Sequence, residues 1–332
     1  MAKDYSKQMV PYAELPKLDE YKEWFKDYVD LDREDGILQV SLKTGDHKPY
    51  WSGGMHRAMS QLSRTISLDH ENEIIIWTTK YPDWIQDQDF NGWERYNDER
   101  FPHQYFDDMN LIKNMVFDLD VPTIGAIPGP GFHWDGPLLC DICIVSEDTT
   151  FDDPHLSSGM VSGDGMGLLL QNGIGLKRAN YLILGGGQIS AQTAYDWGMV
   201  SEVAPKGKVL ERAWEMARII KSAPFHARTV ASSLCKRPLQ RLLMDDLRVN
   251  TLSEAYSTQI SINYNDYEKE DADASTEAGQ VDERFSGAWW RWRCDPVSNE
   301  ELQNPRTYEG KINDRKVALD WFKSAHPEEW QY

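Results

Sequence analysis

The chain has 332 residues and carries 54 acidic against 35 basic side chains, for a formal net charge of -19. That balance excludes a nucleic-acid backbone or an anionic membrane surface as the main partner, because both repel a strongly acidic protein. Four cysteines in so long a chain do not make a disulfide framework, and the length permits one large α/β domain or two smaller ones around a sizeable core. Met1-Ala2-Lys3-Asp4-Tyr5 lacks the apolar stretch of a signal peptide, and no run reaches transmembrane length. The expectation is a soluble, cytoplasmic protein. Residues 1–34 are polar and aromatic, with a helix around Asp19 to Tyr28, and read as an arm. Ile37 to Leu42 reads as a strand, Met55 to Ser67 as a helix and Glu73 to Thr78 as a buried strand. Residues 79–100 form a long loop rich in Trp, Asp and Gln, suited to lining a site. Tyr105 to Leu119 has helical spacing, and Pro122 to Ile127 and Asp141 to Ser146 read as strands. Cys140 and Cys143 fall in the apolar run Leu138 to Val145 and read as strand core residues. Helices are expected at 164–172, 176–184, 190–197, 206–222 and 236–262. Strand, crossover helix, strand is the order of parallel pairing. From Tyr267 the composition turns acidic and then rich in tryptophan, with Trp289, Trp290, Trp292, Trp321 and Trp330; this tail reads as wrapping the domain or a neighbouring subunit.

The densest chemistry lies in Thr150-Phe151-Asp152-Asp153-Pro154-His155 and Gly163-Asp164-Gly165. An imidazole and a carboxylate stand nine residues apart in a Gly-punctuated stretch after an apolar strand. A histidine held by a carboxylate is a standard activator of water near neutral pH; the plainer alternative is a buried, satisfied histidine with Asp164 capping a helix. His47, His56, His70, His103, His226 and His326 stand apart in mostly polar settings and read as surface or capping residues. His103 and Asp107, at i, i+4, suit a local hydrogen bond better than a metal site. The glycines 185–187 read as a helix-ending turn rather than a phosphate loop. Arg241 and Arg248 read as helix-face or intersubunit charges. Trp84, Phe90 and Trp93 suit an apolar pocket or loop packing equally.

Four stretches together resemble the crotonase (enoyl-CoA hydratase/isomerase) superfamily: Val121-Pro122-Thr123-Ile124-Gly125-Ala126-Ile127-Pro128-Gly129-Pro130, Leu139-Cys140-Asp141-Ile142, Thr150 through Pro154, and Leu182 through Ala191 with Ala194 through Val200. The match covers about residues 35–265. The resemblance implies an α/β fold, a spiral of ββα turns, with C-terminal helices that pack a trimer. It implies a core over 35–205 and a helical trimerisation region over 206–266, flanked by the arm 1–34 and a Trp-rich extension over 267–332. The two glutamates that hydratases of this family use would fall at Asp135 and His155, and neither is glutamate here. Gly131-Phe132-His133-Trp134-Asp135 replaces the usual Gly-rich oxyanion stretch.

One branch, the β-diketone hydrolases typified by 6-oxocamphor hydrolase, shares this departure. His133, His155, Asp164, Glu254 and Trp51 fall where that branch carries its site. The resemblance implies hydrolysis of a carbon–carbon bond between two carbonyls, with His155 as general base, Asp164 orienting it and His133 donating to the developing oxyanion. Glu254, Trp51, Gln86, Phe90 and Trp134 would shape the pocket and bind substrate. Asp87 and Asp89 sit where the family places an oxyanion loop, with a backbone N–H near Gln86 facing the site and Asp89 structural. No cofactor and no metal is implied, and the partners are a small-molecule diketone and copies of the chain in a homotrimer or a dimer of trimers. Two rivals remain open. One is a CoA-thioester enzyme of the same fold, with Lys48, Arg57 and Lys80 as its available cations. The other is a catalytically silent scaffold.

Overall fold

The computed structural model describes residues 15–88, 102–153, 155–156, 160–185 and 187–273, all within one compact unit, Met1–Gly279. In chain order it has α1 (Leu18–Trp24), β1 (Val29–Glu34), β2 (Ile37–Leu42), β3 (Tyr50–Trp51), α2 (Gly53–Leu68), β4 (Ile74–Thr79) and β5 (Asp87–Gln88). There follow α3 (Pro102–Lys113), continued by a π-helical turn (Asn114–Asp118), β6 (Thr123–Ile127), α4 (Asp135–Leu138), β7 (Ile142–Ser146) and β8 (Thr150–Phe151). Then come α5 (Met166–Ile174), α6 (Leu176–Gly185), β9 (Ile189–Ser190), α7 (Ala191–Trp197), β10 (Glu202–Ala204), α8 (Val209–Lys221) and α9 (Phe225–Asp273). Phe90, Trp93 and the tryptophans of the tail lie outside the described residues.

The main sheet runs β1-β2-β4-β6-β7-β10. Only β1 and β2 are antiparallel, joined at Asp35-Gly36, where both residues take positive φ (48° and 75°), the conformation a tight Asp-Gly hairpin requires. The remaining pairs are parallel. Strands β2, β4 and β6 are buried along their whole length, as a sheet covered on both faces demands. Alternation then separates two environments. Ile37, Ile74, Ile76, Ile124, Ala126 and Ile144 pack against Val209, Ala213 and Ala217 of α8. Leu42 and Trp77, of opposite parity, face a cavity shared with Met59 of α2 and with Leu111 and Met115. That second face carries the site.

The arm read over 1–34 does not extend through its described part. Residues 18–34 belong to the sheet layer: Tyr21 is fully buried and its hydroxyl donates to Asp69 Oδ2 at 2.7 Å, and Arg33 pairs with the same carboxylate at 2.6 Å. Strand β1 escaped the sequence reading because it alternates Asp and Arg with Val29 and Leu31. Cys140 follows α4 rather than lying in a strand, whereas Cys143 is in β7 as expected. Helix α9 begins at Phe225, earlier than the expected 236, and runs through Pro238. Its first turns are anchored by polar groups, Arg228, Ser232 and Lys236, each 7% exposed or less, so no apolar periodicity marked them.

Arg228 pairs with Glu73, and the other two anchors share one centre. Asp141 Oδ2 accepts from Thr123 N at 2.9 Å, from Thr123 Oγ1 at 3.1 Å and from Ser232 Oγ at 2.8 Å. Lys236 Nζ lies 3.4 Å from the same oxygen and donates to Leu119 O at 3.0 Å. Strands β6 and β7 and helix α9 therefore meet at one carboxylate. Asp141→Ala strands the buried ammonium of Lys236 and is expected to lower unfolding free energy by about 3–5 kcal/mol. Urea denaturation checks this, and a loss below about 1 kcal/mol would contradict it.

Candidate active site

His133 lies in the loop that leaves β6, with φ at 55°, one of only two non-glycine residues among those described with positive φ. A left-handed histidine is strained, and such strain gathers where a side chain must be aimed. The loop is pinned from both sides. Phe132 N donates to Ile85 O at 2.8 Å and Trp84 Nε1 donates to His133 O at 3.0 Å. Gly131 permits the approach, because a Cβ there would stand 2.5 Å from Ile85 O. The β3–β5 pair brings Trp51 over the loop, and its indole stacks on the His133 ring at 3.9 Å between centroids and 24° between planes. Asp135, at the start of α4, places Oδ1 3.7 Å from His133 Nδ1.

His155 follows β8 and is clamped. Its backbone N–H and its ring Nδ1 both donate to Asp153 Oδ1, at 3.0 and 2.9 Å. That fixes the ring orientation and turns Nε2 toward Asp164 Oδ2 at 3.4 Å and Glu254 Oε1 at 4.0 Å. Asp164 serves both readings of the sequence at once, since its other oxygen accepts from Met166 N at 3.1 Å and caps α5. Glu254 reaches the site from α9, and Gly163 lets it in. A Cβ on Gly163 would stand 2.3 Å from Glu254 Cβ and 2.5 Å from Asn250 O.

Residues 86–272, more than half of the chain, match the family model for enoyl-CoA hydratase/isomerase. The chain belongs to this family. It is similar to a solved β-diketone hydrolase from the cyanobacterium Anabaena, a structure with bound (S)-3-oxocyclohexyl acetic acid. The TM-score is 0.67 with 30% identity, over 71% of this chain and 96% of that one. It also shares the fold of an enoyl-CoA hydratase/isomerase from Mycobacterium paratuberculosis, with TM-score 0.65 and 21% identity over 70% of this chain and 93% of that one. Among curated relatives it is 29% identical over 119 residues to 4-chlorobenzoyl coenzyme A dehalogenase-1 of Arthrobacter, 35% of this chain and 43% of the relative. It is 27% identical over 225 residues to a putative enoyl-CoA hydratase of Thermus thermophilus, 66% of this chain and 88% of the relative. The chain thus spans less than half the length of the first curated relatives it matches. The α/β crotonase fold expected from the motifs is the fold observed.

In this family member the expected residues do not all converge. His133, His155, Asp164, Glu254 and Trp51 form one connected group. Gln86 is half-buried between Ile85, which is bridged to Phe132, and β5, which is paired to β3. Trp134 instead packs into the core against Phe151, 4.9 Å between centroids, and is 1% exposed; its large ring fills space under the loop rather than lining the cavity. Phe90 and Asp89 lie outside the described residues. His56 is a correction. It is 3% exposed and hydrogen-bonded to Asp108, with its ring edge-on to Trp51 at 5.6 Å, because its neighbours on α2 face inward although the local sequence is polar. His47, His70 and His226 are exposed, as expected.

Several participants carry no assigned role in the sequence, where Trp84 suits either a pocket or loop packing. Asp153 was read as part of a motif and not as the anchor of His155. Asp135, Trp77 and Trp84 line the cavity beside His133 and Trp51. Trp77 Nε1 is buried without a hydrogen-bond partner among the described residues, which leaves a donor for a bound oxygen. A buried tryptophan in a strand carries no sequence signal that distinguishes it from core.

Buried charge sets the electrostatics. Burial pulls the His155 imidazole down, but the carboxylates of Asp164, Asp153 and Glu254 outweigh it and push the group up to about 10. Burial raises the Asp164 carboxyl, with His155 opposing. Burial and the nearby Asp164 push Glu254 well above the usual carboxylate range. Burial also opposes ionisation of Asp153, yet its hydrogen bond and ion pair with His155 hold it below its ordinary value. Among the described residues, two sets sharing Asp164 bring one ligand atom each within 4.8 Å: His133, Asp135 and Asp164, and His155, Asp164 and Glu254. These donor types would accept a divalent cation, and the same atoms are placed to share protons.

Because the folded pKa of His155 is raised, its pairing stabilises the fold fully below about 6.5, and that contribution is lost as pH rises through about 10. Asp153→Asn removes the charge, and with it the charge-assisted strength of the hydrogen bond, that raise this pKa. The imidazole is therefore expected to titrate at lower pH in the variant, read from its C–H resonances by NMR. An unchanged midpoint would contradict the clamp.

Proposed function

We propose that the protein hydrolyses a carbon–carbon bond of a β-diketone, cyclic by preference, in a retro-Claisen reaction. The observation that carries this reading is the clamped His155, anchored at Nδ1 by Asp153 and facing Asp164 through Nε2. The His155–Asp164 pair takes a proton from water as the oxygen adds to one carbonyl carbon. The tetrahedral oxyanion collapses, the bond to the carbon between the two carbonyls breaks, and an enolate leaves. His133, held by Trp51, donates to the oxygen that becomes negative, the role of an oxyanion donor. Trp51 and Glu254 position the diketone, and the small cavity beside Trp51 is lined by apolar and aromatic side chains together with His133 and Asp135. No step calls for a metal or a coenzyme, because the two carbonyls activate the bond between them.

Three further facts support the reading. The similarity to the Anabaena β-diketone hydrolase runs along 96% of that chain. By the family resemblance the two hydratase glutamates would fall at Asp135 and His155, which argues against the acid–base pair of enoyl hydration. Finally, two of the three cations named for a nucleotide phosphate are paired with carboxylates: Lys80 with Asp30 and Asp32 at 3.2 and 3.4 Å, and Arg57 with Asp107 at 3.4 Å. The CoA-thioester reading is favoured by the names of curated relatives such as carnitinyl-CoA dehydratase, and it keeps its place as the rival.

We extend the proposal to assembly and location. A homotrimer, or a dimer of such trimers, would cover the exposed Leu234, Met244, Val249 and Tyr256 of α9. A reducing compartment such as the cytoplasm suits the free Cys140, Cys143 and Cys235. No helix among the described residues is long and apolar enough to cross a membrane.

Purified protein incubated with cyclic and acyclic β-diketones is expected to bleach their ultraviolet absorbance, with the rate rising with pH through a limb above the 6.5 of free imidazole. His155→Ala should lower kcat by ~10²–10⁴, His133→Ala by ~10²–10³, and a strong chelator should change neither rate nor affinity. Absence of turnover together with retention on a CoA-ester resin would transfer the site to the thioester rival. Turnover untouched in both histidine variants would remove catalysis from this site altogether.

A further inference from the structure

We infer that Asp135 is the acid that delivers the proton to the enolate carbon after the bond is cut. The inference rests on the hydrolase reading and names a step which that reading leaves without a donor.

The cavity supplies the first observation. Of the described side chains that line it, His133 and Asp135 are the ionisable ones. In the hydrolase reading His155 takes the proton from water and His133 is matched to the oxygen, which leaves Asp135 for the departing carbon. An enolate presents its oxygen and its nucleophilic carbon two bonds apart on one edge, and the two groups stand side by side, His133 Nδ1 3.7 Å from Asp135 Oδ1. Asp135 is 5% exposed, and that same Oδ1 has no hydrogen-bond partner among the described residues. A buried carboxyl oxygen left open toward an apolar cavity is costly unless it carries or awaits a proton. Trp84 and Gly131, which pin the His133 loop, fix the neighbouring wall of the same cavity.

The proton economy closes. Burial first, and then the charge of Asp108, push the Asp135 carboxyl up to about 6, against the opposing pull of His56 and His155. His133 and Asp164 also face it within 4.8 Å. A carboxyl near that value exchanges protons readily around neutral pH. In the cycle, an O–H bond of water breaks and its proton goes to the His155–Asp164 pair while the carbon–oxygen bond forms. The carbon–carbon bond then breaks with its electron pair passing to the enolate. The O–H bond of Asp135 breaks as the new C–H bond forms. The proton taken from water moves from the His155–Asp164 pair to the Asp135 carboxylate, with Asp164 belonging to both clusters. The sum is diketone plus water giving keto acid.

The reverse of this last step isolates Asp135 from His155. With 3-oxocyclohexyl acetic acid in D2O, the wild-type enzyme should exchange one α-hydrogen, at one face only, on the carbon released by scission. His155→Ala should keep that exchange although it no longer hydrolyses the parent bicyclic diketone. Asp135→Asn should lose it by at least ~10²-fold, and Asp135→Glu should restore part of it. Exchange at the wild-type rate and on the same face in Asp135→Asn overturns the assignment. If that variant folds poorly, the pH dependence of exchange in the wild type decides. A limb near 6 supports Asp135, and a limb that coincides with the titration of His155 overturns it. A wild-type enzyme that neither cleaves the diketone nor exchanges the keto acid sinks the underlying hydrolase reading, whereas cleavage with exchange intact in Asp135→Asn sinks this inference alone.

Discussion

Everything at the site depends on one buried imidazole held at both nitrogens by carboxylates. A histidine that donates through Nδ1 to Asp153 cannot rotate, and its Nε2 is committed to the space shared by Asp164 and Glu254. The clamp also organises chain far from its own sequence. Asp153 follows β8, Asp164 caps α5, and Glu254 arrives on α9 across the glycine at 163. Three segments distant in the sequence thus converge on one ring. Removing any carboxylate changes the charge seen by the others, so these groups act as a unit rather than as separate residues.

That concentration of buried charge would be costly in an ordinary core, and the sheet is arranged to carry it. One face is largely apolar and packs on α8, with Gln39 hydrogen-bonded to Trp214 there, and the opposite face hosts the polar groups of the site. There the aromatic side chains serve two purposes. Trp51 covers His133, and Trp84 ties the same loop by a hydrogen bond while lining the cavity. In a site so buried, each charge and dipole acts more strongly than it would in bulk solvent. The His56–Asp108 pair beneath Trp51 extends the polar network into α2 and α3.

Much of this was legible in the sequence. The buried strands at 37–42, 74–79, 123–127 and 142–146 announce themselves as apolar runs of strand length, and the motifs shared with the family place His133, His155 and Asp164. What was not legible has physical causes. Strand β1 is half charged because it lies at the edge of the sheet, and β3, β5, β8 and β9 are two-residue pairings that no periodicity can mark. The start of α9 is held by polar anchors to Glu73 and Asp141 and not by an apolar stripe. At the site, His56 sits in a polar stretch and its burial is decided by Asp108, fifty-two positions away. Asp153 lay within the motif, but only the geometry distinguishes the carboxylate that orients His155 from the one that faces its reactive nitrogen. The roles of adjacent acids are set by direction, which spacing does not encode.

The central claim is that this site delivers water itself, rather than a protein carboxylate, to a carbonyl carbon. A single turnover of a cyclic β-diketone by excess enzyme in H2(18)O tests it most directly, with mass spectrometry on both the product and the protein. The account predicts one labelled oxygen in the new carboxylate of the keto acid and none in the protein. Unlabelled product, with the label found in Asp164, Glu254 or Asp135 after the acyl group is released, would show a covalent acyl-enzyme route and contradict it.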